Sequence, residues 1–140
     1  MIASARAIAV LDNEAAQAVA DLNHPKHRRL ADVLNAADLD RVRLVVPTAV
    51  RIEARVSPGP RKGTGLGRFR VDDIPLDSRC ADRAIALADG LSASAVDATV
   101  VQCAEEFAVA GARVTVYTSD VRDIEALCGR ATGRIAVRRV

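Results

Sequence analysis

The stretch Ala7-Ile8-Ala9-Val10-Leu11-Asp12 is an unbroken apolar run that ends at an aspartate, and a helix-forming segment follows it directly. A run without polar alternation is typical of a strand buried on both faces, as in a parallel sheet covered by helices. Open sheets of this kind bind their ligands at the carboxyl ends of the strands. We therefore predict that Asp12 lies at the ligand-binding edge of a parallel sheet.

Similar apolar, β-branched runs recur along the chain and alternate with segments of helical period. They predict strands at residues 7–11, 43–46, 69–71, 114–117 and 135–137. The predicted order is β-α-α-β-α-loop-β-α-α-β-α-β. This order indicates an α/β fold: a single domain over residues 1–140 with a central, mostly parallel sheet and helices on both faces.

Composition excludes several classes of protein. The chain has 140 residues, half of them hydrophobic, and a formal charge of only +2, so its overall charge does not indicate a polyanion partner. Cys80, Cys103 and Cys128 lie far apart and form no CxxC pair or Cys/His cluster, which argues against a disulfide framework and a zinc site. We expect all three to be small core residues in a reducing compartment.

The chain carries no sign of a membrane segment. No apolar run approaches the roughly 20 residues that a spanning helix needs. Arg6 and Asp12 interrupt an apolar stretch at the start that is too short for a signal peptide. We expect a cytoplasmic protein.

Four acids occupy unusual places in the predicted elements. Asp12 and Asp120 follow apolar strands, whereas Glu53 and Asp97 lie on helical stripes that we predict to face the core. Each has a local explanation: Asp12 and Asp120 as helix caps, Asp97 as part of a capping box begun by Ser94, and Glu53 as a surface acid. All four are nevertheless predicted near the carboxyl edge of one sheet.

Converging carboxylates repel one another and raise one another's pKa. A hard divalent cation relieves that repulsion, and ligands that are all oxygen favour Mg²⁺ or Mn²⁺. Such clusters support metal-assisted hydrolysis of phosphodiester bonds. The four acids therefore predict a metal-dependent hydrolase.

The chain resembles the PIN-domain nucleases over nearly its whole length, and is most similar to the VapC-type toxins of bacterial toxin–antitoxin pairs. The motifs that carry this resemblance are Leu11-Asp12, Val46-Pro47-Thr48 with Glu53, Val96-Asp97-Ala98, and Thr118-Ser119-Asp120 with Asp123. The resemblance implies a five-stranded parallel sheet with the first strand central. It also implies a Mg²⁺-dependent endoribonuclease that acts on RNA, forms homodimers and is inhibited by a cognate small antitoxin.

The resemblance also assigns roles to individual residues. Asp12, Glu53, Asp97 and Asp120 become the catalytic acids. Asp12, Asp97 and Asp120 would hold the metal, and Glu53 would help to ligate it or orient the water. Asp123 is implied as an accessory acid, and Thr118 as the position whose hydroxyl supports the site.

Two features depart from the family pattern. Glu14 stands where family members usually have Ser or Thr, and an extra carboxylate there would either add a ligand or spoil the site. Residues 57–67 are rich in Gly and Pro and carry Arg61 and Lys62, where the family is usually more helical. We predict a flexible basic loop here, either a lid over a phosphate-bearing substrate or a solvated connector.

Basic residues near the predicted site are candidate contacts for RNA phosphates. They are Arg51, Arg55, Arg61, Lys62 and Arg68.

Two other functions remain open. A PIN-like binding module without nuclease activity is favoured by Glu14. A phospho-acceptor receiver domain would need a phosphorylatable aspartate at the end of a central third strand and a late lysine, and no lysine follows Lys62.

Overall fold

A computed structural model describes residues 7–36, 42–56 and 71–140 of the protein. Over these residues the chain forms five strands and six helices in the predicted order. The strands are β1 (Ala7–Leu11), β2 (Val42–Pro47), β3 (Val71–Ile74), β4 (Arg113–Thr118) and β5 (Ile135–Arg139). The helices are α1 (Asn13–Ala20), α2 (His27–Ala36), α3 (Thr48–Ala54), α4 (Ser78–Ala88), α5 (Ala95–Val109) and α6 (Val121–Cys128).

The five strands form one parallel sheet in the order β3-β2-β1-β4-β5. The α/β class and the parallel sheet are therefore confirmed. The order places β1 at the centre, where its apolar run is enclosed: Val10 and Leu11 have no exposed surface. The receiver-domain interpretation is wrong, because β3 is an edge strand and such domains need their third strand inside the sheet.

Strand register decides which residues meet at the carboxyl edge. Leu11 of β1 pairs with Tyr117 of β4, so Asp12 and Thr118 follow side by side on neighbouring strands. The Asp12 amide donates to the Tyr117 carbonyl at 3.1 Å, which extends the pairing to the last position before α1.

Small aliphatic side chains fill the space between the sheet and its helices. The predicted core role of the cysteines is confirmed for Cys80 and Cys103, which are buried, whereas Cys128 is half-buried; all three are free thiols. Burial raises the pKa of the Cys103 thiol to about 12 and that of Cys128 to about 11, which suppresses their reactivity. Within the described ranges, every helix is too short or too polar to cross a membrane.

Two helical faces differ from the prediction. In α3 the buried residues are Val50 and Ala54, whereas Ile52 is 75% exposed and Glu53 is exposed. The predicted core-facing stripe through Glu53 is therefore wrong. In α4 the helical spacing predicts an inward stripe of Ala81, Ala84, Ile85 and Ala88. The position of Ile85 in that stripe is wrong, because the residue is 69% exposed.

Candidate metal centre

Asp12 lies at the bottom of the acidic site. Its side chain is 4% exposed, and backbone amides hold both carboxylate oxygens: Ala15 donates to Oδ1 at 2.9 Å and Ser119 donates to Oδ2 at 3.3 Å. Burial raises the pKa of Asp12, while hydrogen bonds from the Thr118 hydroxyl and these two amides oppose the rise. Asp12 therefore caps α1, as its local explanation predicted, and also faces residues at the end of β4.

The Thr118 hydroxyl connects two of the acids. It is fully buried, hydrogen bonds to the Asp12 carboxylate, and accepts a 2.9 Å hydrogen bond from the Asp120 amide. The supporting role in the site that the resemblance implies for Thr118 stays a prediction. The hydroxyl fixes the backbone at Asp120 relative to the end of β1.

Asp97, Asp120 and Asp123 form a close group of acids among the residues that the structure describes. One carboxylate oxygen from each lies within 4.8 Å of those from the other two. Asp120 precedes α6 as its N-cap residue, but its side chain makes no capping hydrogen bond. The local explanation of Asp120 as a side-chain cap is therefore wrong, and its carboxylate is directed to the acidic group instead.

Asp97 is held in the first turn of α5, where its amide donates to the Ser94 hydroxyl at 3.0 Å. The pKa of Asp97 rises to about 7. Burial is the largest cause, followed by a hydrogen bond with Asp120 and by the negative charges of Asp120 and Asp12. A proton on Asp97 relieves part of this repulsion at neutral pH.

Three helix N-termini converge on this group. Asp12 and Asp120 are the N-cap residues of α1 and α6, and Asp97 lies in the first turn of α5. The amide groups at a helix start carry a partial positive charge that stabilises nearby carboxylates. We call Asp12, Asp97, Asp120 and Asp123 the acidic cluster.

Glu14 does not join the acidic group that the described residues form. Its carboxylate makes a 2.8 Å ion pair with Lys26. The pKa of Glu14 is lowered, first by the hydrogen bond from Lys26 and then by one from the Ser119 side chain. The departure from the family pattern is thus neutralised by a cation that lies next to the site.

Glu53 is exposed, and it is likewise absent from the group of acids within 4.8 Å. Of the predicted RNA contacts, Arg51 forms a two-point ion pair with Asp73 at 2.9 and 2.8 Å, and Arg55 is exposed. Arg61, Lys62, Arg68 and the predicted loop at 57–67 lie outside the described residues.

Sequence reasoning overlooked Ser119 and Lys26 as members of this region. Ser119 contacts Asp12 through its amide and Glu14 through its side chain. Its place inside the Thr118-Ser119-Asp120 motif was the available signal. Lys26 follows a helix-breaking proline, and nothing local in the sequence links it to Glu14.

The donor chemistry of the acidic cluster suits a hard divalent cation. The ligand atoms on offer are carboxylate oxygens, which Mg²⁺ and Mn²⁺ prefer. Burial first, and then the neighbouring Asp120 and Asp12 carboxylates, raise the pKa of Asp97, and a bound cation would favour its charged form. Asp97 and Asp120 are the residues placed to hold such an ion, with Asp123 beside them and Asp12 behind.

Comparison of the chain with protein-family models, with curated proteins and with solved structures finds no match.

Proposed function

We propose that the protein is a Mg²⁺- or Mn²⁺-dependent endoribonuclease of the PIN type that hydrolyses RNA phosphodiester bonds. The observation that carries this proposal is the approach of the Asp97, Asp120 and Asp123 carboxylates to within 4.8 Å at the carboxyl edge of a parallel sheet. The freedom of the Asp120 side chain from capping supports it further.

A divalent cation bound by such acids supplies an activated water and stabilises the leaving oxygen. The chain's own contribution is to hold the carboxylates in place. The two amides and one hydroxyl on Asp12 fix its orientation, and the Thr118 hydroxyl ties Asp120 to Asp12. The carboxylate oxygens of Asp97 and Asp120 are the ones that would bind the ion.

Glu53 has a less direct place in this proposal. Its exposure and its absence from the close group make it a candidate for ordering water at the rim rather than for a deeply held ligand. Glu53→Gln would then lower the cleavage rate and leave Mn²⁺ affinity unchanged.

We further propose that the protein acts in the cytoplasm as the toxin of a toxin–antitoxin pair, as a homodimer controlled by a cognate small antitoxin. This part rests on the motif resemblance. Expression of the parent should arrest growth, expression of Asp120→Asn should not, and co-expression of an adjacent small gene should restore growth to the parent.

Calorimetric titration with Mn²⁺, paired with an RNA cleavage assay, tests the metal-dependent activity. Asp120→Asn is the sharpest variant, because it removes a carboxylate that takes no part in capping. We expect it to abolish cleavage and weaken Mn²⁺ binding by at least roughly tenfold. Asp82→Asn, the same change at an exposed position of α4, is the matched control and should behave as the parent.

Unchanged cleavage by Asp120→Asn would overturn the assignment of the site. Absence of both Mn²⁺ binding and cleavage in the parent would instead favour the PIN-like binding module without nuclease activity. The ion pair of Glu14 with Lys26 weakens the original reason for that alternative.

A further inference from the structure

A groove of about 330 Å³ lies between the start of α2 and the end of β5. Four basic residues line it: Lys26 and Arg29 from the α2 side, and Arg138 and Arg139 from the β5 side. Apolar side chains that include Leu30 line it as well. We call this feature the α2–β5 groove.

The groove opens next to the acidic cluster. Lys26 donates to the Val140 carbonyl at 3.0 Å and pairs with Glu14 at 2.8 Å, so it joins the groove to the start of α1. Arg139 pairs in register with Thr118 and donates to the Ser119 carbonyl at 3.3 Å. Ser119 in turn donates its amide to Asp12, so one residue borders both the groove and the acids.

Three arginines on other surfaces are engaged by acids of the same chain. Arg51 is paired with Asp73, Arg83 with Glu105, and Arg79 with Glu106. By contrast, neither the Arg29 side chain nor the Arg138 side chain has a hydrogen-bond or ion-pair partner among the described residues. Unpaired guanidinium groups in a concave surface are suited to two-point contacts with phosphate oxygens.

We propose that the α2–β5 groove binds the phosphodiester backbone of single-stranded RNA and leads the strand to the acidic cluster. This inference rests on the proposed function and identifies where its substrate lies. A concave surface lined by both basic and apolar side chains suits a single strand, which presents phosphates together with the flat faces of its bases. The arginines predicted on α3 and in residues 57–67 are not needed for this path.

The test is the binding of a fluorescent oligouridylate in buffer with EDTA, where the RNA stays intact whatever the acids do. Arg29→Gln combined with Arg138→Gln removes the two unpaired charges. The matched control is Arg113→Gln combined with Arg134→Gln, which removes the same charge from two exposed residues. Arg113 begins β4 and Arg134 directly precedes β5, so both lie at the end of the sheet away from the groove. Both double variants should fold as the parent does.

We expect the groove variant to bind RNA more weakly than the control and with a weaker dependence on salt concentration. The plot of log affinity against log salt concentration has a negative slope, and its magnitude should be smaller by about 1.4 in the groove variant. Two phosphate contacts are removed, and each contributes roughly 0.7 on a single strand. Equal binding by the two double variants would overturn the proposal, as would a parent that does not bind the oligouridylate. Displacement of the RNA by polyglutamate at equal charge would point to an acidic peptide instead and would also overturn it.

These outcomes are separable from failure of the proposed function. A groove variant that binds RNA as the parent does, in a protein whose cleavage depends on Asp120, would reject the groove alone. A parent that binds RNA through the groove but neither binds Mn²⁺ nor cleaves would reject the nuclease and keep the groove.

Discussion

Lys26 holds Glu14 in a 2.8 Å ion pair, and that pair lies at the border between the acidic cluster and the α2–β5 groove. Glu14 is the residue that departs from the PIN-domain pattern. The partner explains how an extra carboxylate is accommodated next to four others: its charge is balanced by a cation of the same chain.

Glu14→Gln should therefore leave Mn²⁺ affinity close to that of the parent, because the carboxylate that it removes is engaged by Lys26. Asp123→Asn is the comparison, since Asp123 belongs to the close acidic group and its loss should weaken Mn²⁺ binding. Calorimetry on the two variants checks this. A larger loss of Mn²⁺ affinity for Glu14→Gln than for Asp123→Asn would show that Glu14 is a metal ligand.

Asp97 should make the metal-free protein less stable as pH rises. Its pKa is about 7 in the folded protein against an ordinary value of 3.8, so between these values the native state keeps a proton that the unfolded chain has released. The free energy of unfolding then falls with increasing pH across that window. Asp97→Asn lacks this loss, so its Tm relative to the parent should increase from pH 4 to pH 7.

Thermal unfolding in EDTA across this pH range is the measurement, with Asp82→Asn as the control for a simple change of charge. Profiles of Asp97→Asn and the parent that run parallel would show that Asp97 ionises normally. Addition of Mn²⁺ at pH 7 should raise the Tm of the parent more than that of Asp97→Asn.

Glu105 stabilises the packing of α5 on its neighbours. It is 8% exposed, forms a two-point ion pair with Arg83 of α4 at 2.7 Å, and accepts the Thr132 amide at 2.8 Å. Glu105→Gln should cost about 1–3 kcal/mol of unfolding free energy, as expected for charged hydrogen bonds. Because these bonds lower the pKa of Glu105, the cost should shrink as the pH falls below the ordinary value of 4.5.

The next residue provides the control for this measurement. Glu106 makes its ion pair with the largely exposed Arg79, so Glu106→Gln should destabilise the protein much less. Urea unfolding of both variants at pH 7 compares them. Equal losses of unfolding free energy in the two variants would mean that burial of the Glu105–Arg83 ion pair does not add to stability.

Gly133 precedes β5 and has a φ of +93°, and a Cβ there would lie 2.9 Å from the Ala108 Cβ. Gly111 has a similar φ of +97° but open space around it. Substitution by alanine at either site should cost about 1–2 kcal/mol for the backbone conformation. Gly133→Ala should cost more, because α5 and β5 must also separate, and the Tm difference between the variants measures that contact.

The parallel sheet was predictable because its three inner strands carry largely apolar runs, and β1 in particular has no polar residue before Asp12. The acids at the ends of β1 and β4 follow from the same rule. Asp97 was recognisable because it is the one acid among the mostly apolar residues of the first two turns of α5.

The phase of α3 was not predictable in the same way. The helix has seven residues, and Arg55 at φ 57° ends it, so Val56 does not continue the stripe that Ile52 and Glu53 suggested. Two turns are too few to determine which apolar residues face the core. The pairing of Glu14 with Lys26 depends on how α1 and α2 cross, which no local pattern records.

The hydrogen bond from the Ser119 amide to Asp12 joins residues 107 positions apart. Each carboxylate on the β4 side is therefore near Asp12 only after β4 has docked beside β1. A nascent chain still attached to the ribosome at Gly111 would have its first strand and most of its helices, but no assembled acid group. Any activity that depends on that group is withheld until β4 has been synthesised and has docked beside β1.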